Sequence, residues 1–193
     1  MKITKLAEAG YNEAILGLSL SFYDHQIPLE EFWTEGRRQR AIQRAKALAF
    51  KGGGHNKFLA SVFTWWLIEA PRFFLSEYDT YKVGTTANSS STMHTLDKRL
   101  VTAADFEVGT SQTIIDGFNS EIRRHWASPD ISRLKANLPE GWLQERQVCI
   151  NYMTLQNILS QRAKHRLPQW QKFCSAVLAQ VSHPELLLQT TKI

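Results

Sequence analysis

The segment from Leu138 to Trp170, LPEGWLQERQVCINYMTLQNILSQRAKHRLPQW, constrains the fold of this chain more than any other. Its order of apolar and polar residues predicts a strand, a capped helix and a basic turn. Gln147 to Ile150 reads as a short strand. Asn151 stands where an N-cap side chain accepts hydrogen bonds from the otherwise free N–H groups of a helix start. Leu155, Ile158 and Leu159 then give the helix one apolar side. Asn157 lies three residues before Ser160 and five before Arg162, so an amide and a guanidinium project from a surface that Leu155 does not occupy. Such a helix offers hydrogen bonds to a planar ligand.

The rest of the chain supplies the elements around it. Met1 to Leu6 reads as an edge strand and Asn12 to Tyr23 as a helix whose small residues allow close packing. A longer helix is predicted from Leu29 to Phe50, ended by Gly52, Gly53 and Gly54. These glycines lack the strand, GxGxxG and helix order of a dinucleotide fingerprint, so they read as a flexible helix stop. Ala60 to Glu69 reads as a buried strand. Pro71 suits the first position of a helix reaching about Lys82, which Gly84 ends. Thr85 to Thr95, TTANSSSTMHT, reads as a polar loop whose hydroxyls and amides can wrap a phosphate or a ring edge. Ser111 to Trp126 is predicted as a long helix and Asp130 to Asn137 as a shorter one. Pro168 to Val181 completes the set, with Trp170, Phe173, Val177 and Val181 at helical spacing. A few strands among many non-alternating helices imply an α+β fold, with helices packed on a mainly antiparallel sheet.

At 193 residues and 43 % apolar content, one domain spanning residues 1–193 with a sizeable core is expected. The two cysteines, Cys149 and Cys174, form no CxxC pair, which argues against zinc or a disulfide framework and for a reduced, cytoplasmic setting. The apolar runs Phe58 to Ile68 and Phe173 to Val181 are too short or interrupted to span a bilayer, and the N-terminus has no signal-peptide core, so no membrane association is expected. A net charge of +5 favours anionic partners: nucleotides, folates, nucleic acid or phosphate-rich surfaces. Arg37, Arg40, Arg44 and Lys51 share one helical face. That face is either an electrostatic footprint for nucleic acid or a solvated surface, and no aromatic residues interleave with it along the sequence as a stacking platform would need.

The order Leu-Pro, strand, Asn151, Leu155, Asn157, Arg162, a His-bearing turn and Gln169-Trp170 resembles the C-terminal half of the flavin-dependent thymidylate synthases, also known as thymidylate synthase complementing proteins. A second block, GHNKFLASVFTWWLIEAPRFF from Gly54 to Phe74, is similar to that family's His-x-x-x-Phe, strand, Ala-Pro, helix segment. AILGLSLSF, Ala14 to Phe22, is a third and weaker echo. The three blocks run collinear with the family. The resemblance implies a thymidylate synthase complementing protein-like fold and an enzyme that methylates dUMP using FAD, NADPH and methylenetetrahydrofolate. It also implies no covalent link from nucleotide to protein, and a homotetramer whose sites lie between subunits. Cys149, between Val148 and Ile150, correspondingly reads as a core thiol.

By the same resemblance, Arg162 matches the arginine that contacts the pyrimidine and stabilises negative charge as its C5 position becomes nucleophilic. Asn157 matches an asparagine that hydrogen-bonds the flavin, and His55 a histidine near it. Gln169 lies near the glutamine before Trp170, offset by one residue because Lys164 to Leu167 lengthen the turn. Arg146 offers a substrate phosphate contact from the strand, one residue after Glu145, which holds the aligned position. The family's central signature is Arg-His-Arg, two residues, Ser, one residue, Asn-Glu, one residue, Ser, one residue, Arg. Here the run is Thr80, Tyr81 and Lys82 followed by VGTTANSSSTM. With one residue inserted, Asn88 and Ser91 match, which assigns Ser91 to substrate and Lys82 and Asn88 to the cofactor. Ser89 replaces the acidic position, Met93 the final arginine, and Met153 a further arginine two residues after Asn151. Charge-assisted hydrogen bonds contribute about 1.5–3 kcal/mol each, so two such losses lower nucleotide or flavin affinity by about 10²-fold or more unless Lys82, His94, Lys98 or Arg99 compensates.

Two readings follow. In one, the chain is an active, divergent enzyme of this type acting on dUMP or a related pyrimidine nucleotide. In the other it descends from such enzymes without methylation activity and is a nucleotide- or nucleic-acid-binding module.

Overall fold

The computed structural model describes residues 1–189. Four strands, β1 (Lys2–Ala9), β2 (Phe63–Pro71), β3 (Thr85–Ser89) and β4 (Leu143–Asn151), form an antiparallel sheet in the order β1-β2-β4-β3. Helices α1 (Tyr11–Ser19), α2 (Leu29–Phe32), α3 (Glu35–Leu48), α4 (Arg72–Tyr78), α5 (Thr92–Thr95), α6 (Gln112–Ala127), α7 (Ile131–Ala136), α8 (Tyr152–Arg162) and α9 (Pro168–Gln180) complete the α+β architecture. Register is visible in single bonds. The Arg72 N–H donates to Trp142 O at 3.0 Å, and Thr64 Oγ1 donates to Ile150 O, also at 3.0 Å. On the other side of β4, the Asn151 N–H donates to Gly84 O and the Ser90 N–H to Glu145 O. Thr64 is fully buried, and its hydroxyl also accepts from Trp66 Nε1, so the polar group inside this apolar strand is satisfied.

By chain contacts the molecule comprises two compact units. One contains Met1–Ile3, Leu67–Thr80 and Ala87–Gln147. Its core gathers Ile115, Phe118 and Ile122 from the apolar stripe of α6 with Phe106, Leu134 and Leu138, and Trp142 packs its ring edge-on to Phe106. The predicted helices here form as expected: Ser111 Oγ accepts from Ile114 N, and the Asp130 carboxylate accepts from Arg133 N as the cap of α7. The other unit contains Thr4–Trp66, Tyr81–Thr86 and Val148–Ile193. Its core holds Ile15, Leu59 and Trp66 together with Leu155 and Ile158 of α8 and Trp170 and Phe173 of α9.

The structure departs from the predicted elements at several places, Pro71 among them, which ends β2 instead of opening the helix. The helix expected from Leu29 to Phe50 is broken at Trp33, whose φ and ψ of −85° and 60° are not helical, and Thr34 restarts it by accepting from the Arg37 N–H. α3 then ends at Leu48, so Lys51 lies off the helix and the three glycines stand beyond its end. The helix after Pro71 stops at Tyr78 rather than Lys82, where the Thr80 N–H and hydroxyl both close onto Glu77 O. Thr85 to Thr95 is not a loop. Its first residues pair with β4 as an edge strand, and Ser91 caps the short α5.

Within the second unit, a half-buried polar latch ties β1 to the segment after α9. Tyr152 Oη donates to Glu8 Oε1 at 2.6 Å, while the Ser182 N–H and Lys5 Nζ donate to Glu8 Oε2. His183 stacks on Tyr11 with ring centroids 3.5 Å apart. Burial draws the Glu8 carboxyl upward, but hydrogen bonds from Lys5, Tyr152 and Ser182 outweigh it and hold the group below the ordinary carboxylate value. Burial also lowers the His183 imidazole. Both shifts have the same sign for stability, because a folded-state value below the unfolded one makes the contribution present at neutral pH and lost on acidification. Urea titrations are expected to show stability falling first below about pH 6.5, through His183, and again below about pH 4.5, through Glu8, with Glu8→Gln removing the lower part of that dependence. Identical pH profiles for the two proteins would exclude the latch as its source.

Candidate functional site

Asn151 gives α8 its start. Its Oδ1 accepts from the Thr154 N–H at 2.9 Å, as the residue pattern predicts, and Thr154 Oγ1 donates to Val83 O at 2.7 Å. Leu155, Ile158 and Leu159 are buried, which leaves Asn157, Ser160 and Gln161 exposed and Arg162 half-exposed at the C-terminal end. A directed chain of hydrogen bonds joins the two ligand candidates of this helix. Arg162 Nε donates to Tyr81 Oη at 2.8 Å, Tyr81 Oη donates to Gln161 Oε1 at 2.9 Å, and Gln161 Nε2 donates to Asn157 Oδ1 at 2.8 Å. A guanidinium only donates. Polarity therefore runs one way along the chain, and Asn157 is left presenting its Nδ2 hydrogens outward.

Arg162 is held on its other sides as well. Its Cζ lies 4.9 Å from the centroid of the fully buried Trp170 ring and 5.7 Å from that of Tyr81. Its Nη1 meets His165 Nε2 at 2.9 Å, while His165 Nδ1 faces the Leu167 N–H at 3.2 Å. A neutral imidazole has one accepting nitrogen, so His165 grips Arg162 in only one of its tautomers. The result is a cation of set orientation on an aromatic platform, beside an outward amide donor. That arrangement suits recognition of the acceptor edges of planar rings.

Tyr81, Gln161, His165 and the platform role of Trp170 were not among the residues expected from the sequence. Gln161 had a local signal, since an amide four residues after Asn157 reaches it on a helix. Tyr81 had none, because its partners lie about 80 residues further along the chain.

The other expected site residues are distributed as follows. Gln169 is half-buried in the first turn of α9. His55, in the turn after α3, and Lys82 are exposed and make no side-chain hydrogen bond among the described residues. These three belong to the same compact unit as Arg162 and Asn157. Arg146, Ser91 and Asn88 belong to the other. Arg146 is buried in β4, where Nε donates to Ser89 Oγ at 2.8 Å and Nη1 forms an ion pair with Asp79. Its charge is thus already balanced by a carboxylate. Ser91 is engaged as the cap of α5, and Asn88 points from the exposed β3 with no side-chain hydrogen bond among the described residues. Of the cations considered as compensators, Arg99 is held by Asp105 and Lys98 lies 3.8 Å from Asp97. Lys82 and His94 carry no such partner among the described residues.

Neither cysteine is prepared as a nucleophile. Desolvation raises the Cys149 thiol, and burial pushes Cys174 up to about 11, so both are protonated at neutral pH. Among the described residues no helix is long and apolar enough to cross a membrane.

No known family model matches the chain, and no curated protein matches it. Its structure nevertheless has solved counterparts. The flavin-dependent thymidylate synthase ThyX from Helicobacter pylori, complexed with FAD and dUMP, superposes with a TM-score of 0.76 at 12 % identity over 97 % of this chain and 98 % of that one. A second structure of that enzyme with FAD and dUMP gives the same TM-score and identity over 97 % of each chain. The UMP/dUMP methylase PolB from Streptomyces cacaoi, bound with 5-Br dUMP, superposes with a TM-score of 0.63 at 14 % identity over 92 % of this chain and 88 % of that one. At 12–14 % identity to these proteins, the chain has the fold of the flavin-dependent thymidylate synthases.

Proposed function

We propose that this protein is a divergent flavin-dependent thymidylate synthase-type enzyme, a single domain of that kind, which methylates dUMP or a related pyrimidine nucleotide using FAD, NADPH and methylenetetrahydrofolate. The observation that carries the reading is the Arg162–Tyr81–Gln161–Asn157 chain on α8, set in a fold whose solved examples contain FAD and dUMP. FAD, when bound, supplies the redox chemistry. Asn157 donates to an acceptor on the ring edge. Arg162 binds the pyrimidine and stabilises negative charge that develops on it, with Trp170 and Tyr81 holding the guanidinium so that little reorganisation is needed. Protonated cysteines agree with a route that attaches no nucleotide to the protein.

The fit to a flavin rests on these amide and guanidinium donors, with His55 and Gln169 as further contacts and Lys82 as a phosphate contact. On the nucleotide side Ser91 and Arg146 are the candidates, with Asn88 toward the cofactor. Because Asp79 balances Arg146, phosphate affinity is expected to be weaker than an unpaired arginine would give. Homotetramerisation and a cytoplasmic setting belong to the same proposal. In β2, Phe63 and Trp65 are only half-buried, and Leu6 of β1 keeps 53 % of its surface exposed, which supports a covered apolar face in an assembly.

The test is an absorption spectrum of the purified protein with and without added FAD, followed by dUMP titration. A bound flavin whose spectrum responds to dUMP is expected, and failure to take up FAD rejects the proposal. Arg162→Ala should lower turnover on the order of 10²-fold or more and abolish the dUMP response while leaving the far-UV circular dichroism unchanged. Tyr81→Phe, which cuts the chain between Arg162 and Asn157, should weaken ligand binding by roughly five-fold. An unchanged dUMP response in Arg162→Ala removes that residue from its role.

A further inference from the structure

α3 carries arginines that the proposed chemistry leaves unused. Arg37, Arg40 and Arg44 line a groove of about 200 Å³ together with Phe22, Phe32, Ser19 and Ala41. Tertiary folding supplies the aromatic groups that the helix itself lacks. Arg37 Cζ sits 4.3 Å from the centroid of Phe32, and Arg44 Cζ 4.1 Å from that of Phe22. Phe32 is buried, but Phe22 keeps 62 % of its surface exposed with Arg44 over its ring. Among the described residues, none of the three guanidinium groups has a carboxylate partner. Glu35 at the start of α3 is engaged by Gln39 and lies near Arg38, and Glu30 and Glu31 of α2 form no ion pair with the three arginines.

The geometry points to a second binding site on α3 for nucleotide phosphates that carry a base, with Arg37, Arg40 and Arg44 on phosphate and Phe22 stacking the base. The groove combines what such a ligand needs. Among the described residues its guanidinium groups are not neutralised by a carboxylate, and two rest over phenyl rings, which limits their loss of freedom on binding. An aromatic surface in solvent accepts any base face. Arg37 and Arg44 are about 10 Å apart along the helix, so the three guanidinium groups can meet more than one phosphate. The same chemistry arises from a free nucleotide or from a single strand of nucleic acid. This site uses none of the residues assigned to flavin or dUMP, so its failure would leave that reading intact.

The experiment is fluorescence anisotropy of the full chain with a short fluorescein-labelled oligothymidylate, competed separately by ATP and by inorganic phosphate. A strand as ligand is expected to show a log–log salt slope of about −2 across roughly 50 to 200 mM salt, reduced by about 0.7 in Arg40→Ala. Phe22→Ala should weaken binding on the order of tenfold. Arg123→Ala, a change of the same charge on exposed α6, should have no effect. Displacement by ATP, lost in Arg40→Ala, together with a flat salt response of the oligonucleotide would identify a free nucleotide as the source. The proposal is overturned by any of three results: no binding at low salt, equal displacement by inorganic phosphate and ATP with Phe22→Ala unchanged, or a shift in oligomeric state by light scattering in Phe22→Ala.

Discussion

Trp170→Ala is expected to lower the stability of this protein by about 3–5 kcal/mol, the range for removing a large buried aromatic side chain. Trp170 is fully buried in the first turn of α9, with its ring edge-on to Phe173 at 5.9 Å and to Tyr81 at 5.7 Å between centroids. Truncation opens a cavity between aromatic rings that are tied to different elements and cannot collapse together. The effect also extends to the proposed site. The indole ring lies beneath the Arg162 guanidinium, so its loss frees that cation to adopt other orientations. Urea denaturation reads the first effect, and titration of FAD or dUMP reads the second. Trp170→Phe separates them, because a smaller ring keeps part of the platform and is expected to retain most of the ligand response at a lower stability cost. Full ligand response in folded Trp170→Ala would show that the platform does not orient Arg162.

A second large effect is expected at Gly84, whose φ is +69°. Gly84 O accepts the Asn151 N–H at 3.1 Å, and the preceding carbonyl accepts Thr154 Oγ1, so this turn is fastened to the first turn of α8. A Cβ at position 84 would fall on the Asn151 side-chain amide and within 2.8 Å of Thr154 Oγ1. Left-handed backbone costs an L residue about 1–2 kcal/mol, and a displaced N-cap costs about 1 more. Gly84→Ala should therefore destabilise by about 2–3 kcal/mol and fray the helix that carries Asn157 and Arg162. Gly52→Ala is the matched control. No atom lies within 4 Å of a Cβ built there, its backbone is not left-handed, and a change within about 0.5 kcal/mol is expected. Equal melting behaviour of the two variants would mean that the turn at Gly84 does not support α8.

The same local logic explains what was legible along the chain. Capping and periodicity act over three or four residues, so Asn151 at the start of α8, Ser111 at the start of α6 and the buried stripe of α9 were all readable as residues alone. The break at Trp33 was missed although its signal is of the same local kind: Thr34 accepts from the Arg37 N–H three residues on and divides one predicted helix into α2 and α3. TTANSSSTMHT was misread for a different reason. Its composition favours turns, and pairing with β4 overrides that preference in an edge strand.

By itself, the sequence determined the late strand, cap and helix, the placement of Asn157 and Arg162 on one accessible side, and a resemblance that anticipated the fold. Tertiary structure alone decided which partners those side chains have. Tyr81 reaches Arg162 and Gln161, Asp79 balances Arg146, and Phe22 lies under Arg44. The reason is physical: backbone preferences and caps are set by neighbours in the chain, whereas these contacts join residues brought together only by strand register and core packing. Their chemistry has no signature until the chain is folded.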